Sequence, residues 1–259
     1  MDKVKVVILC GGAGTRLREQ TEFMPKPLVQ IGDKPILWHI MKIYAHYGFK
    51  DFVLCLGYKG EVIKQYFYEY KMLNCDFTIN LGNGDIVIAD PVHEDWNITL
   101  AQTGVDTMTA SRVKKIEKYI DGSLFMLTYG DGLSNMNIKE LLEFHRSQGK
   151  IGTVTGVHPS SRFGELVIEN ERVVDFLEKP QVQNGLVNGG FFVFDRRFFG
   201  YLPDDDSCVL EKEPLERLAA DGELCVYKHT GFWACMDTQR DFQLLNNIWS
   251  SEAPPWKVW

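Results

Sequence analysis

The chain has 259 residues, with 28 basic and 35 acidic side chains for a formal charge of −7, and it is 45% hydrophobic, 12% aromatic and 24% charged. That apolar content can bury a sizeable core, which excludes a disordered chain, and the negative balance argues against a protein that holds nucleic acid by bulk charge. No apolar run approaches the roughly 20 residues that span a bilayer, and Met1-Asp2-Lys3-Val4 is too short and too charged for a signal peptide. A soluble, cytoplasmic protein with no membrane or nucleic-acid partner is expected.

In chain order, Lys5 to Cys10 is a short and nearly continuous apolar run, as expected of a strand covered on both faces. A glycine-rich turn follows it. Pro35 opens a helix with apolar residues at Ile36, Leu37, Ile40, Met41, Tyr44 and Tyr47, and Gly48 closes it. Phe52 to Leu56 reads as a second strand and Glu61 to Leu73 as a second helix. The segment Asn74 to Thr109 reads only as short strands and loop, with Trp96 and Asn97 mid-way. Leu124 to Thr128 is an apolar strand ending at Tyr129-Gly130-Asp131-Gly132, and Ile138 to His145 is a helix stopped near Gly149. This alternation predicts an α/β architecture around a mainly parallel sheet.

The second half changes character. Glu165 to Glu169 and Arg172 to Leu177 alternate around Asn170-Glu171, which predicts a hairpin. Gly190 to Phe194 is an apolar strand, Glu213 to Ala220 is helical, Leu224 to Tyr227 and Phe232 to Met236 read as strands, and Asp241 to Trp249 as a closing helix. No linker or repeat divides the chain, so residues 1–259 are read as one domain with a mixed sheet. The six cysteines (Cys10, Cys55, Cys75, Cys208, Cys225 and Cys235) form no C-x-x-C pair, and several lie in apolar runs, as buried thiols of a reducing compartment do. The six histidines show no metal-ligand spacing.

Two segments carry chemistry. Leu9-Cys10-Gly11-Gly12-Ala13-Gly14-Thr15-Arg16-Leu17 directly follows the first strand. Its glycines allow a close backbone approach with N–H groups turned to a ligand, which suits phosphate oxygens, and Arg16 adds a fork of donors. The spacing is neither that of a Walker A loop nor that of G-x-G-x-x-G. In Met24-Pro25-Lys26-Pro27-Leu28 the flanking prolines keep Lys26 out of a helix interior and stiffen its backbone, so the ammonium can be aimed.

Together these segments resemble the sugar-nucleotide pyrophosphorylase (nucleotidylyltransferase) family, whose members carry G-G-x-G-T-R-L followed by P-K-P. Ordered matches continue through Gly32-Asp33-Lys34-Pro35-Ile36-Leu37, Tyr129-Gly130-Asp131-Gly132, Phe163-Gly164-Glu165, Glu178-Lys179-Pro180, Asn188-Gly189-Gly190-Phe191 and Met236-Asp237-Thr238. Further matches point to the branch that joins CTP to glucose 1-phosphate. They include Pro35-Ile36-Leu37-Trp38-His39-Ile40-Met41-Lys42, Gly57-Tyr58-Lys59-Gly60, Trp96-Asn97, Thr103-Gly104 and Pro255-Trp256-Lys257. Cys10 stands where the family usually has a small residue such as alanine.

The resemblance implies a single Rossmann-like nucleotidyltransferase domain, with a nucleotide-binding half over about 1–135 and a sugar-phosphate half over about 136–259. It implies transfer of CMP to α-D-glucose 1-phosphate by direct attack, with Mg²⁺ as cofactor and a homo-oligomeric assembly. Arg16 and Lys26 would be catalytic, on the departing pyrophosphate and the α-phosphate respectively. Leu9, Cys10, Gly11, Gly12, Ala13, Gly14, Thr15, Gly130, Thr107 and Arg112 would join them around the nucleotide, the last two across a subunit interface. Glu178, Lys179, Asn188 and Gly189 would meet the sugar phosphate, and Asp131 and Asp237 would hold Mg²⁺. The same chemistry on another triphosphate or sugar phosphate stays open, as does a catalytically silent sugar-nucleotide sensor. The tail Trp256-Lys257-Val258-Trp259 is either an oligomer contact or a cap on the domain.

Overall fold

A computed structural model describes residues 3–89, 94–158, 165–169, 172–177, 185–251 and 253–259. Its centre is a mixed sheet with the strands Asn97–Gln102, Asp51–Leu56, Lys5–Cys10, Leu124–Tyr129, Phe192–Asp195 and Gly152–Val157 side by side in that order. The first four are parallel to one another, Phe192–Asp195 is antiparallel to both neighbours, and Leu224–His229 pairs parallel with Gly152–Val157. The expected mixed, mainly parallel sheet is thus the observed one.

Successive residues of a strand face opposite ways, and the core divides accordingly. Val6, Ile8, Phe52 and Leu54 belong to one buried cluster with Tyr44 and Phe191, while Val7, Val53 and Cys55 belong to the other with Phe125, Phe192 and Phe198. Both faces of the sheet are covered, which is why its strands read as unbroken apolar runs. Ile36–His46 and Ile138–Gln148 pack as amphipathic helices, the second capped by the Asn137 side chain and ended by Gly149 at φ 62°.

Within Asn74 to Thr109 the chain forms a hairpin, Phe77–Ile79 with Ile86–Ile88, then the edge strand Asn97–Gln102. The hairpin exposes Phe77, Ile79, Leu81, Ile86 and Val87. It therefore lacks the one-sided burial that marks a strand in sequence. The strands Glu165–Glu169 and Arg172–Leu177 pair antiparallel as expected. Their turn, Asn170-Glu171, lies outside the described residues, as do Phe163-Gly164 and Glu178-Lys179-Pro180. The C-terminal tail is a cap: Trp256 is fully buried and stacks near Phe232 and Trp249. Among the described residues no helix is long and apolar enough to cross a membrane.

Lys5–Cys10 has Asp51–Leu56 on one side and Leu124–Tyr129 on the other. The chain order reverses there, and the carboxyl ends of the two diverging strands leave a crevice, where open α/β sheets bind ligands.

Candidate active site

That crevice is a cleft of about 360 Å³ lined by Leu9, Cys10, Gly11, Gly12, Gly14, Thr15, Arg16, Lys26, Thr107, Arg112, Gly130, Asp131 and Asp237, together with Pro27, Met108, Thr109 and Tyr129. Except for Ala13, every residue expected around the nucleotide lines it, and both expected metal ligands do too.

The glycine loop is shaped for different reasons at each position. Gly14 sits at φ 62° and caps a short 3-10 turn, Thr15–Leu17, a conformation that side chains resist. Gly12 has nothing within 4 Å of where a Cβ would stand, so this stretch of backbone is open to a ligand. Gly11 is different. A Cβ there would fall 2.3 Å from Cζ and Nη1 of Arg112.

Arg112 itself is 4% exposed. Its Nη1 donates to Leu56 O (3.1 Å), Thr103 Oγ1 (2.8 Å) and Gly104 O (2.6 Å), and its Nη2 to Gly11 O (3.2 Å) and Val105 O (3.1 Å). The guanidinium therefore ties the glycine loop to the ends of two neighbouring strands. Gly57 makes room for it as Gly11 does, since a Cβ there would lie 2.5 Å from Nη1. Arg112 was expected at the nucleotide, and in the structure its donors meet four main-chain carbonyls and the Thr103 hydroxyl.

Lys26 is only 13% exposed. Its Nζ donates to Asp131 Oδ2 at 2.6 Å and to Asp237 Oδ1 at 2.7 Å. Burial works against the ammonium, but the charges and hydrogen bonds of Asp131 and Asp237 outweigh it and hold the pKa above the ordinary lysine value. Arg16, largely exposed, pairs with the other oxygen of Asp237 at 2.6 Å. Two cations thus balance two carboxylates before any phosphate arrives.

The two aspartates meet because short strands join the halves of the chain. Gly132–Ser134 pairs antiparallel with Trp233–Cys235, and Met236 N donates to Asp131 O at 2.9 Å. A capping box of Thr238 and Asp241 starts the next helix, and Asp241 Oδ2 accepts from the backbone N–H of Asp237. Gly130 is needed where this segment crosses the first strand, as a Cβ would lie 2.8 Å from Leu9 O.

Asp131 and Asp237 converge on one cation, Nζ of Lys26, so their oxygens can share a centre. Hard carboxylate oxygens on an open cleft suit Mg²⁺, which is commonly held by one or two carboxylates with phosphate and water completing its shell. Among the described residues there is no group of three or more His, Cys, Asp or Glu that could hold a metal alone; substrate phosphate and water would complete the shell. The donor set fits on those terms.

A second pocket of about 190 Å³ opens beside the first and shares Arg16, Tyr129, Asp131 and Asp237 with it, adding Asn188, Gly189 and Trp233. Asn188 Oδ1 accepts from Gly190 N at 2.9 Å, and Trp233 Nε1 donates to Gly189 O at 2.8 Å. The next residue, Phe191, has φ 44° although it is not glycine, and it is fully buried. Such strain persists only where surroundings over-determine it; here Thr155 Oγ1 donates to Phe191 O and the ring stacks on Tyr44. Of the expected sugar-phosphate residues, Asn188 and Gly189 lie here, while Glu178 and Lys179 are outside the described residues.

Residues 5–242 match the family model described as nucleotidyl transferase. The chain belongs to the nucleotidyl transferase family. This transferase is 48% identical over 99% of its length to a Bacillus subtilis protein named "Probable glucose-1-phosphate cytidylyltransferase", all of which is covered. It is 45% identical, over 99% of its length and all of the relative, to a glucose-1-phosphate cytidylyltransferase of Salmonella typhi. The crystal structure of HddC from Yersinia pseudotuberculosis superposes with a TM-score of 0.66 at 23% identity, covering 94% of this chain and 98% of that one, a likeness of fold. Enzymes of this family generally use a divalent metal.

Proposed function

We propose that the protein transfers the CMP group of CTP to α-D-glucose 1-phosphate, giving CDP-glucose and pyrophosphate, with Mg²⁺ as its metal. The observation that carries the nucleotidyl-transfer reading is the convergence of the glycine loop, Arg16, Lys26, Asp131 and Asp237 on one strand-end cleft. The base and the sugar rest on the full-length relatives named as glucose-1-phosphate cytidylyltransferases.

A phosphate oxygen of the sugar phosphate attacks the α-phosphorus, the bond between α-phosphorus and the bridging oxygen breaks, and pyrophosphate leaves. No nucleophile from the protein is required, so the work is alignment and charge neutralisation. The open backbone at Gly12 and the Gly14 turn receive the triphosphate. Lys26, released from the aspartates it bridges, is held by its proline frame within reach of the α-phosphate. Arg16, on the exposed side of the cleft, meets the leaving pyrophosphate. When bound, Mg²⁺ would be held by Asp131 and Asp237 and would neutralise charge on the phosphate oxygens. Asn188 and Gly189 offer polar groups to sugar hydroxyls, with Glu178 and Lys179 as their proposed partners on the sugar phosphate. Thr107 and Arg112 line the nucleotide side. A homo-oligomer in the cytoplasm is part of the same reading, and light scattering of the purified protein tests its assembly.

Incubation with CTP, glucose 1-phosphate and Mg²⁺ should release pyrophosphate. No release at micromolar enzyme with any common triphosphate would overturn the reading.

A further inference from the structure

Tyr129 ends the strand Leu124–Tyr129 and is a wall common to both pockets. Its ring lies against Gly190, where a Cβ would stand 3.0 Å from Cδ2, and meets Phe192 edge-on. Its hydroxyl donates to Glu211 Oε1 and accepts from Asn188 Nδ2 at 3.2 Å. The other oxygen of Glu211 accepts from Thr109 Oγ1 at 3.1 Å, and Thr109 Oγ1 in turn accepts from Leu210 N at 2.8 Å. The stretch around Glu211 is strapped to the same nucleotide-side segment by Met108 N to Asp206 O (2.8 Å) and Ala110 N to Cys208 O (3.1 Å).

We propose that Glu211 is a positioning residue that couples the two substrate pockets. One carboxylate oxygen fixes Tyr129, and through it Asn188 on the sugar side, while the other fixes Thr109 at the rim of the nucleotide cleft. The role rests on the proposed reaction for its use, but the strut is a property of the unliganded chain. Hydrogen bonds to a charged group are among the stronger ones, and loss of a partner leaves Tyr129 free to turn.

The test combines kinetics with amide hydrogen exchange. Glu211→Ala should raise KM for the sugar phosphate about tenfold and KM for the triphosphate about threefold, with kcat within about twofold, because what is lost is positioning worth one or two charged hydrogen bonds. Glu211→Gln should recover most of the loss, since the amide can accept from Tyr129 and donate to Thr109. Tyr129→Phe keeps the ring and should reproduce the sugar effect without the nucleotide effect. In the double variant Tyr129→Phe/Glu211→Ala the two sugar effects should not add; full additivity would overturn the coupling. In the unliganded proteins, Glu211→Ala should speed exchange at both 107–112 and 187–190, and unchanged exchange at either would overturn the strut. If the wild type turned over no substrate pair, the proposed reaction would fall while the exchange measurement still decided the strut.

Discussion

Replacing Gly11 by alanine separates two explanations for a glycine in a phosphate loop. Gly11 is not among the positive-φ glycines, so its backbone admits a side chain. What forbids one is the Arg112 guanidinium, 2.3 Å from the Cβ position. A flexible arginine could move aside, but this one is buried and donates to five oxygens. Hydrogen bonds to a charged group contribute about 1.5–3 kcal/mol each. Displacing the guanidinium loses several of them and strands their carbonyls. Even with half recovered by repacking, Gly11→Ala should cost about 3–5 kcal/mol, a large part of the 5–15 kcal/mol typical of a whole domain. At about 2–4 °C per kcal/mol for a chain of this size, the melting temperature should fall by about 10 °C. Thermal and urea denaturation of Gly11→Ala, Arg112→Ala and the double variant measure this as a cycle. With the arginine gone, alanine at 11 should cost less than about 1 kcal/mol. A Gly11→Ala protein as stable as wild type, or two costs that simply add, would refute the clamp.

Lys26→Ala should abolish most turnover and also destabilise the unliganded protein by about 1–3 kcal/mol, because it leaves two half-buried carboxylates facing each other; millimolar Mg²⁺ should restore much of the melting temperature, and a loss insensitive to Mg²⁺ would count against the shared centre. Asp131→Asn should weaken the metal dependence of turnover, read as a rightward shift in a Mg²⁺ titration. Burial holds His39 neutral down to about 4, so the unfolded chain takes up the proton first and stability is lost as pH falls from about 6.5 toward 4. The gap corresponds to about 3 kcal/mol at most, and urea midpoints of wild type and His39→Gln across that range should converge at the acid end. Cys10 and Cys55 are buried with thiols pushed well above their ordinary pKa, so iodoacetamide at pH 8 should label the more accessible Cys75 and spare both.

Where burial is one-sided or complete, the sequence already carried the structure. Lys5–Cys10, Ile36–His46 and Ile138–Gln148 appear close to where periodicity put them. The hairpin at Phe77–Ile88 escaped because both its faces meet solvent, and Gly132–Ser134 because three residues paired to a distant strand leave no period. The site followed the same rule. The glycine loop, Lys26, Asp131 and Asp237 sit in compact motifs and were legible, although the pairing of Lys26 with both aspartates was not. Tyr129 opens the quoted motif Tyr129-Gly130-Asp131-Gly132, but nothing near it in sequence marks the partners of its hydroxyl. Glu211 had no local signal, since it acts through a partner 82 residues away, and Gly57, although part of the quoted Gly57-Tyr58-Lys59-Gly60 match, has its spatial reason in distant Arg112. In sequence Gly11 reads as part of a loop that lets backbone approach a ligand, whereas the space beside it in the structure is filled by Arg112.

A competition among triphosphates reads out transfer of CMP to glucose 1-phosphate. Wild-type protein is given equal concentrations of CTP, UTP, dTTP, GTP and ATP with α-D-glucose 1-phosphate and Mg²⁺, and the products are identified by mass. CDP-glucose should dominate, with pyrophosphate formed in equal amount. A different nucleoside diphosphate glucose in excess, or no sugar nucleotide at all, would overturn CTP and glucose 1-phosphate as the substrates.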